Sequence, residues 1–358
     1  MMLDGALNST SLVTTNFNKV EGLLSDAIYW QVVFFILGLN FLVGLFATGS
    51  NVVTIVIYKK MGFSDSSNIS LTALAVSDLG SAVTALMVTV GVLSPKIPDA
   101  NFSFQIFTVF ASQPHLMFSR ISALITTYIS IERYLCVLLP LKIKRIITPR
   151  RTSVAMVIIF ALPFALNLHL SLSFPLGWKF FPEQNKTLLG VLPIKYPFIE
   201  TLDRIRRLLF SIPLPVFTSV TVLFCTILLG LALHKNKKWR DTNKNKPTFS
   251  KAPGKDGDDS TPAQSTKMES KEARAVKMVI AITTVFIISS IPSSIHIFAV
   301  LSLPEFSVTG RFSNLYLLTG VIYKFVDSLN CSANFIIYYK MSTKFREATI
   351  SFFWGKSQ

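Results

Sequence analysis

Apolar residues run along this chain in seven blocks, near 30–58, 68–94, 104–138, 152–172, 199–233, 273–303 and 313–339. Each is long enough to cross a bilayer's hydrocarbon layer, roughly 30 Å thick and spanned by about 20 helical residues. The pattern predicts an all-α membrane protein, a seven-transmembrane helix bundle. The third block is its weakest member, because Arg120, Glu132 and Arg133 interrupt it. Between the fifth and sixth blocks, residues 235–270 are rich in Lys, Asp, Ser, Pro and Gly and cannot bury enough apolar surface to fold alone. A flexible cytoplasmic loop is expected there. After Tyr339 basic residues alternate with Ile350, Phe352, Phe353 and Trp354, as in a short amphipathic helix lying on a membrane surface. The expected organisation is thus a segment 1–29, a membrane domain 30–339 and a tail 340–358.

Composition agrees with a membrane protein: 51% of residues are hydrophobic, 15% are charged, and the mean hydropathy is +0.51. Charge then sets an orientation. Lys59, Lys60, Lys142, Lys144, Arg145, Arg150, Arg151, the run from Lys235 to Lys277, and Lys340, Lys344 and Arg346 all fall on one side of the predicted spans. Short cytoplasmic loops retain Lys and Arg, so that side is the inside. The acceptor sequons at Asn8, Asn101 and Asn185 fall on the other side, where glycosylation occurs. An extracellular amino end and a multi-pass plasma-membrane location follow. The net charge of +16 then reads as a collar facing anionic lipid and protein partners; a nucleic-acid partner is not expected. Residues 1–22 show no basic n-region or sustained apolar core, so no cleavable signal peptide is expected in them. Cys136, Cys225 and Cys331 all fall within predicted helices, at no metal-site spacing, and no extracellular disulfide is expected from them.

Ionisable residues inside a span are costly, and each needs a partner or a function. Glu132 and Arg133 are adjacent, so the acid can neutralise the base locally, while Glu272 at the start of the sixth block can compete for it. Such a pair is a candidate switch; the plainer reading is a juxtamembrane pair reaching for headgroups. Asp78 lies near mid-membrane in the second block, with Ser122 and Asn330 and Asn334 at comparable depths on the third and seventh. Asn51 and Tyr338 complete this polar set. Pro163, Pro213, Pro215 and Pro292 are expected to bend the fourth, fifth and sixth helices.

In this order and spacing, these residues resemble the rhodopsin-like family of G-protein-coupled receptors. Asn51 in SNVVTI is similar to that family's first-helix asparagine, LTALAVSDL to its second-helix aspartate motif, Glu132-Arg133-Tyr134 to its Asp/Glu-Arg-Tyr, and Pro140-Leu141 to the start of its second intracellular loop. Glu272 stands about 20 residues, roughly 30 Å of helix, before Pro292, as the family's lock glutamate stands before its sixth-helix proline. Asn334 to Tyr338, NFIIY, is similar to Asn-Pro-x-x-Tyr. Departures accompany the matches. Phe335 replaces the seventh-helix proline, Ser290 stands where a tryptophan is usual, and Thr108 replaces the disulfide cysteine, which leaves the second extracellular loop untethered. With these losses the chain looks like the lineage-expanded receptors of molluscs described as chemosensory.

The resemblance implies a two-state bundle with no enzymatic activity. An extracellular ligand favours a state in which the sixth helix swings out at Pro292, and a heterotrimeric G protein binds the opened cleft. Asp78, Ser122, Asn330 and Asn334 match the family's sodium pocket, so a candidate allosteric sodium ion at Asp78 is the one cofactor expected. For the ligand, the candidate contacts are Arg120, about 20 Å along the third helix from Arg133, His296 on the sixth, Lys324 and its natural intrahelical partner Asp327 on the seventh, and Arg204 and Arg207 at the outer end of the fifth; Asp327, Glu200 or a ligand is expected to satisfy Arg120. Bases outnumber acids among them, which points to an anionic small molecule or acidic peptide. The alternative is a transporter or ion channel using the intramembrane charges; no pseudo-symmetry between halves supports it.

Overall fold

The computed structural model describes residues 26–93, 101–139, 142–181, 185–192, 197–210, 213–244, 262–307 and 310–355. Seven long helices form a bundle: α1 (Asp26–Met61), α2 (Ser66–Leu93), α3 (Gln113–Leu138), α4 (Pro149–Ser173), α5 (Pro213–Lys244), α6 (Pro262–Ser302) and α7 (Ser313–Met341). A shorter helix, α8 (Thr343–Trp354), follows. Six of the seven are long and apolar enough to cross a membrane by length and composition. The exception is α7, diluted by Lys324, Asp327, Asn330 and Asn334, whereas α3 passes despite its charges. The weakest span was therefore misplaced by the sequence pattern, because a pair of charges at a helix end disturbs hydropathy less than polar residues spread along it.

The fifth block does not form one helix. Pro197–Phe210 is a separate helix, and α5 begins at Pro213. Pro213 and Pro215 consequently sit in the first turn, where no backbone N–H has an intrahelical acceptor, and they start the helix instead of bending it. Pro163 and Pro292 do lie inside α4 and α6. Helix also continues into the predicted loop from both sides, as α5 runs to Lys244 and α6 starts at Pro262.

The bundle is sewn together by hydrogen bonds between neighbouring helices, each satisfying a polar group that lipid cannot. Asn40 Nδ2 donates to Thr89 Oγ1 at 2.8 Å between α1 and α2, and Tyr128 meets Thr152 at 2.8 Å between α3 and α4. Thr226 donates to Thr283 at 2.9 Å between α5 and α6, and His296 meets Thr319 at 2.8 Å between α6 and α7. Gly80 makes room on α2 for the Phe118 ring of α3, since a Cβ there would stand 2.6 Å from it.

One end of the bundle carries an antiparallel hairpin, β1 (Leu176–Phe181) with β2 (Lys186–Val191), in which Trp178 pairs with Leu189. Asn185, with φ of +48°, lies at its turn. The hairpin is tethered, contrary to the expectation from the missing cysteine. Ser103 N donates to Leu189 O at 2.8 Å and Leu189 N donates to Asn101 O at 2.9 Å. All three cysteines are free. Backbone pairing thus joins the segment ahead of α3 to the hairpin where a covalent link is absent. At the other end, Gly62, with φ of +82°, closes α1, and α8 starts on a Ser342 cap accepting from Phe345 N at 3.3 Å. Phe345 is fully buried and packs edge-on against Tyr338 at 5.6 Å and Phe335 at 5.9 Å. The aromatic side chain of Phe335 therefore docks α8 where the resembling family has a proline.

Ser103→Pro removes one tethering donor, and its expected cost is about 1 kcal/mol, read as a lower melting temperature in detergent. Addition of a reductant to the wild type is expected to leave that temperature unchanged.

Candidate functional site

Two carboxylates, Asp78 fully buried and Asp327 half-buried, organise the interior. Asp78 on α2 is inaccessible to solvent and accepts from Ser122 Oγ on α3 at 2.7 Å and from Asn334 Nδ2 on α7 at 2.7 Å. Three helices meet on one side chain. Asn51 on α1 donates to Ala47 O at 2.9 Å and to Cys331 O at 3.0 Å, adding the fourth helix. Of the sequence-predicted polar set, Asn51, Asp78, Ser122 and Asn334 are brought together, whereas Asn330 lines the neighbouring cleft and Tyr338 packs on Tyr58 and Phe345. Asn334 Oδ1 is buried without a hydrogen-bond partner among the described residues.

The second carboxylate is Asp327 on α7. Its Oδ2 accepts from Ser119 Oγ on α3 at 2.7 Å and Ser81 Oγ on α2 at 3.0 Å, and lies 3.5 Å from His115 Nε2. His115 Nδ1 in turn lies 3.2 Å from Ser81 Oγ and 3.1 Å from Ser81 O. Lys324 was the expected partner of Asp327, yet the carboxylate turns across the bundle to α2 and α3. The hydroxyls and imidazole there form a ready set of donors, so no intrahelical pair is needed. His115, Ser81 and Ser119 were absent from the sequence reading. Their signal is periodicity: His115, Ser119 and Ser122 recur at i, i+4 and i+7, one face of α3.

A cleft opens above these carboxylates, on the hairpin side. Arg120, Tyr323, Asp327 and Asn330 line it, and α6 contributes Ser289, Ser290, Ser293 and Ser294 around Pro292. Among the described residues the ion pairs are His115–Asp327 and Arg133–Glu132, so no acid there holds Arg120 or Lys324. The side chain of Glu200, another expected partner of Arg120, lies outside the described residues. The candidate contact His296 is hydrogen-bonded to Thr319 on α7. It is buried between α6 and α7 against Phe306, Tyr316 and Tyr323, with ring centroids 5.6, 5.1 and 5.1 Å away. Arg204 is exposed on the separate helix Pro197–Phe210, so it does not sit at the end of α5; the side chain of Arg207 lies outside the described residues.

At the far end, Arg133 on α3 donates to Ser67 Oγ on α2 and to Glu132 Oε1 at 3.4 Å. Glu132 is buried, and its Oε2 has no hydrogen-bond partner among the described residues. Tyr338 is buried edge-on against Tyr58 at 5.7 Å, with its hydroxyl likewise unpartnered among them. Tyr134 packs on the central apolar core. The side chain of Glu272 and all of Pro140 and Leu141 lie outside the described residues. The partner found for Arg133 on another helix is thus Ser67, at the start of α2.

Residues 49–338 match the family model described as 7 transmembrane receptor (rhodopsin family). The chain belongs to the rhodopsin family of seven-transmembrane receptors. The match begins two residues before Asn51 and ends on Tyr338, so it takes in the Asp78 centre, the Asp327 cluster, the cleft and the Arg133 contacts of this receptor.

Asp327→Ala strands the Ser81 and Ser119 hydroxyls and His115, at an expected cost of about 1–3 kcal/mol. Asp327→Asn keeps an acceptor and is expected to retain most of the stability. Thermal unfolding of the purified receptor in detergent separates the two; equal melting temperatures for Asp327→Ala and wild type would contradict the clasp.

Proposed function

We propose that this receptor binds an extracellular ligand through an anionic group, a carboxylate, sulfate or phosphate on a small molecule or acidic peptide, and signals by activating a heterotrimeric G protein. The observation that carries the ligand reading is the state of Arg120. Arg120 lines the cleft, and Asp327, the acid that lines it too, is already engaged by Ser81, Ser119 and His115. A charged group at that depth calls for a counter-charge, and a ligand anion supplies one by bidentate hydrogen bonding. The serines of α6 place further hydroxyls on the same cleft and on both sides of Pro292. A ligand bridging Arg120 on α3 to these hydroxyls favours one placement of α6 over another, and that differential affinity is what shifts the equilibrium.

Coupling to the far end runs through α3 and α7, which carry both carboxylate centres. Outward movement of α6 would free the Arg133 region for a G protein, with Glu132, Ser67 and Glu272 as the groups that hold the closed state. Asp78 with Ser122 and the unpartnered Asn334 Oδ1 offers hard oxygen donors suited to a sodium ion, which would favour that closed state. The amino end, with Asn8, Asn101 and Asn185, would face outward, and the departures at Thr108, Ser290 and Phe335 are the ground for a chemosensory role.

The test is a reporter cell with promiscuous G proteins, screened with carboxylates, sulfates, phosphates and acidic peptides. Arg120→Ala is expected to weaken potency on the order of tenfold to a hundredfold, as for loss of a charged hydrogen bond worth about 1.5–3 kcal/mol, at normal surface expression. Arg133→Ala is expected to abolish signalling while binding persists. Unchanged potency in Arg120→Ala would remove the anionic-ligand reading, and a ligand-evoked current without a G protein would favour a transporter or channel.

A further inference from the structure

Pro197–Phe210, between the hairpin and α5, is a 14-residue helix that none of the receptor's signalling parts requires. Its sequence, PFIETLDRIRRLLF, carries five charges, and 14 residues span only about 21 Å, too short and too polar to cross a membrane. At 100° per residue, Phe198, Leu202, Ile205 and Leu208 fall within an arc of about 120°. Glu200, Asp203, Arg204 and Arg207 occupy register positions on the opposite arc.

In a helix docked on protein, that apolar stripe would be covered. Here Phe198 is 72% exposed, Leu208 65% and Ile205 41%. The helix lies against α4 and α5, and those two helices carry their own exposed apolar residues: Leu162 and Phe164 on α4, Val216, Phe217 and Val220 on α5. In a membrane protein these face acyl chains. The bare stripe of Pro197–Phe210 is continuous along the chain with this lipid-facing belt, since only 211–212 separate the helix from Pro213.

We infer that Pro197–Phe210 is an interfacial anchor, a helix lying in the headgroup layer on the hairpin side of the bundle with Phe198, Ile205 and Leu208 among the acyl chains. A large apolar arc, a charged opposite arc and low overall hydrophobicity are the signature of helices that bind a bilayer surface without spanning it. Arg204, exposed, reaches the phosphates of the headgroups. The anchor fixes the height of α5 in the bilayer, because Pro213 starts that helix directly behind it. This reading is independent of the ligand: it uses no residue of the cleft.

The experiment is spin labelling of the full chain in phosphatidylcholine nanodiscs, with single additions Phe198→Cys, Leu208→Cys and Arg204→Cys. The wild type serves as the labelling control, because its three cysteines are buried or half-buried. Labels at 198 and 208 are expected to collide more with lipid-soluble oxygen than with a water-soluble nickel complex, and the label at 204 to show the reverse order. Higher nickel than oxygen collision at all three sites would place the helix in water and overturn the anchor. Protection of 198 and 208 from both reagents would mean that protein covers the stripe, either residues 1–25 or a second copy, and would equally overturn it.

Discussion

A carboxylate cannot remain unpartnered in the middle of a membrane, and this receptor contains two that draw their partners from different helices. Asp78 gathers α2, α3 and α7 through Ser122 and Asn334, and Asp327 gathers the same three helices through Ser81, Ser119 and His115. Because lipid offers no alternative donors, these contacts fix the relative rotation and depth of the helices more strictly than apolar packing does. Both the cleft on the hairpin side and the Arg133 end lie on the helices so fixed.

That constraint also bears on the cleft, which Arg120 and Asp327 line together. An acid beside Arg120 would ordinarily neutralise it, but the hydroxyl and imidazole donors of α2 and α3 hold Asp327. Arg120 is left without an ion pair among the described residues. At the far end the same reasoning runs the other way: Arg133 is shared between Glu132 and Ser67, while Glu132 Oε2 and the Tyr338 hydroxyl are buried without hydrogen-bond partners among the described residues. Buried polar groups left unsatisfied favour any rearrangement that supplies them with partners.

Two structural features replace familiar ones. The missing disulfide is answered by the two-way backbone pairing of residues 101–103 with Leu189, which closes the same connection without a covalent bond. The missing seventh-helix proline is answered by Phe335, whose ring packs on Phe345 and so ties α7 to α8. Neither substitute could be recognised from a motif, since backbone pairing is blind to side-chain identity and an aromatic contact depends on what another helix presents.

The sequence by itself determined the number of spans, the approximate position of most of them, the surface helix at the end, and the Asp78, Asn334, Glu132 and Arg133 positions, because lipid forces long apolar runs and makes each exception conspicuous. It failed where a local rule had two outcomes. Pro213 and Pro215 were equally compatible with a bend and with a start, and the charges of the third span made it look weaker than the seventh, whose polar residues are spread along the helix. Only the tertiary structure decided that Asp327 bonds across the bundle instead of along its helix, that His296 is enclosed in aromatic rings, and that Arg204 belongs to a separate helix. The physical reason is one and the same: a polar group's partner is set by which helices face each other at its depth, and facing is a property of the assembled bundle.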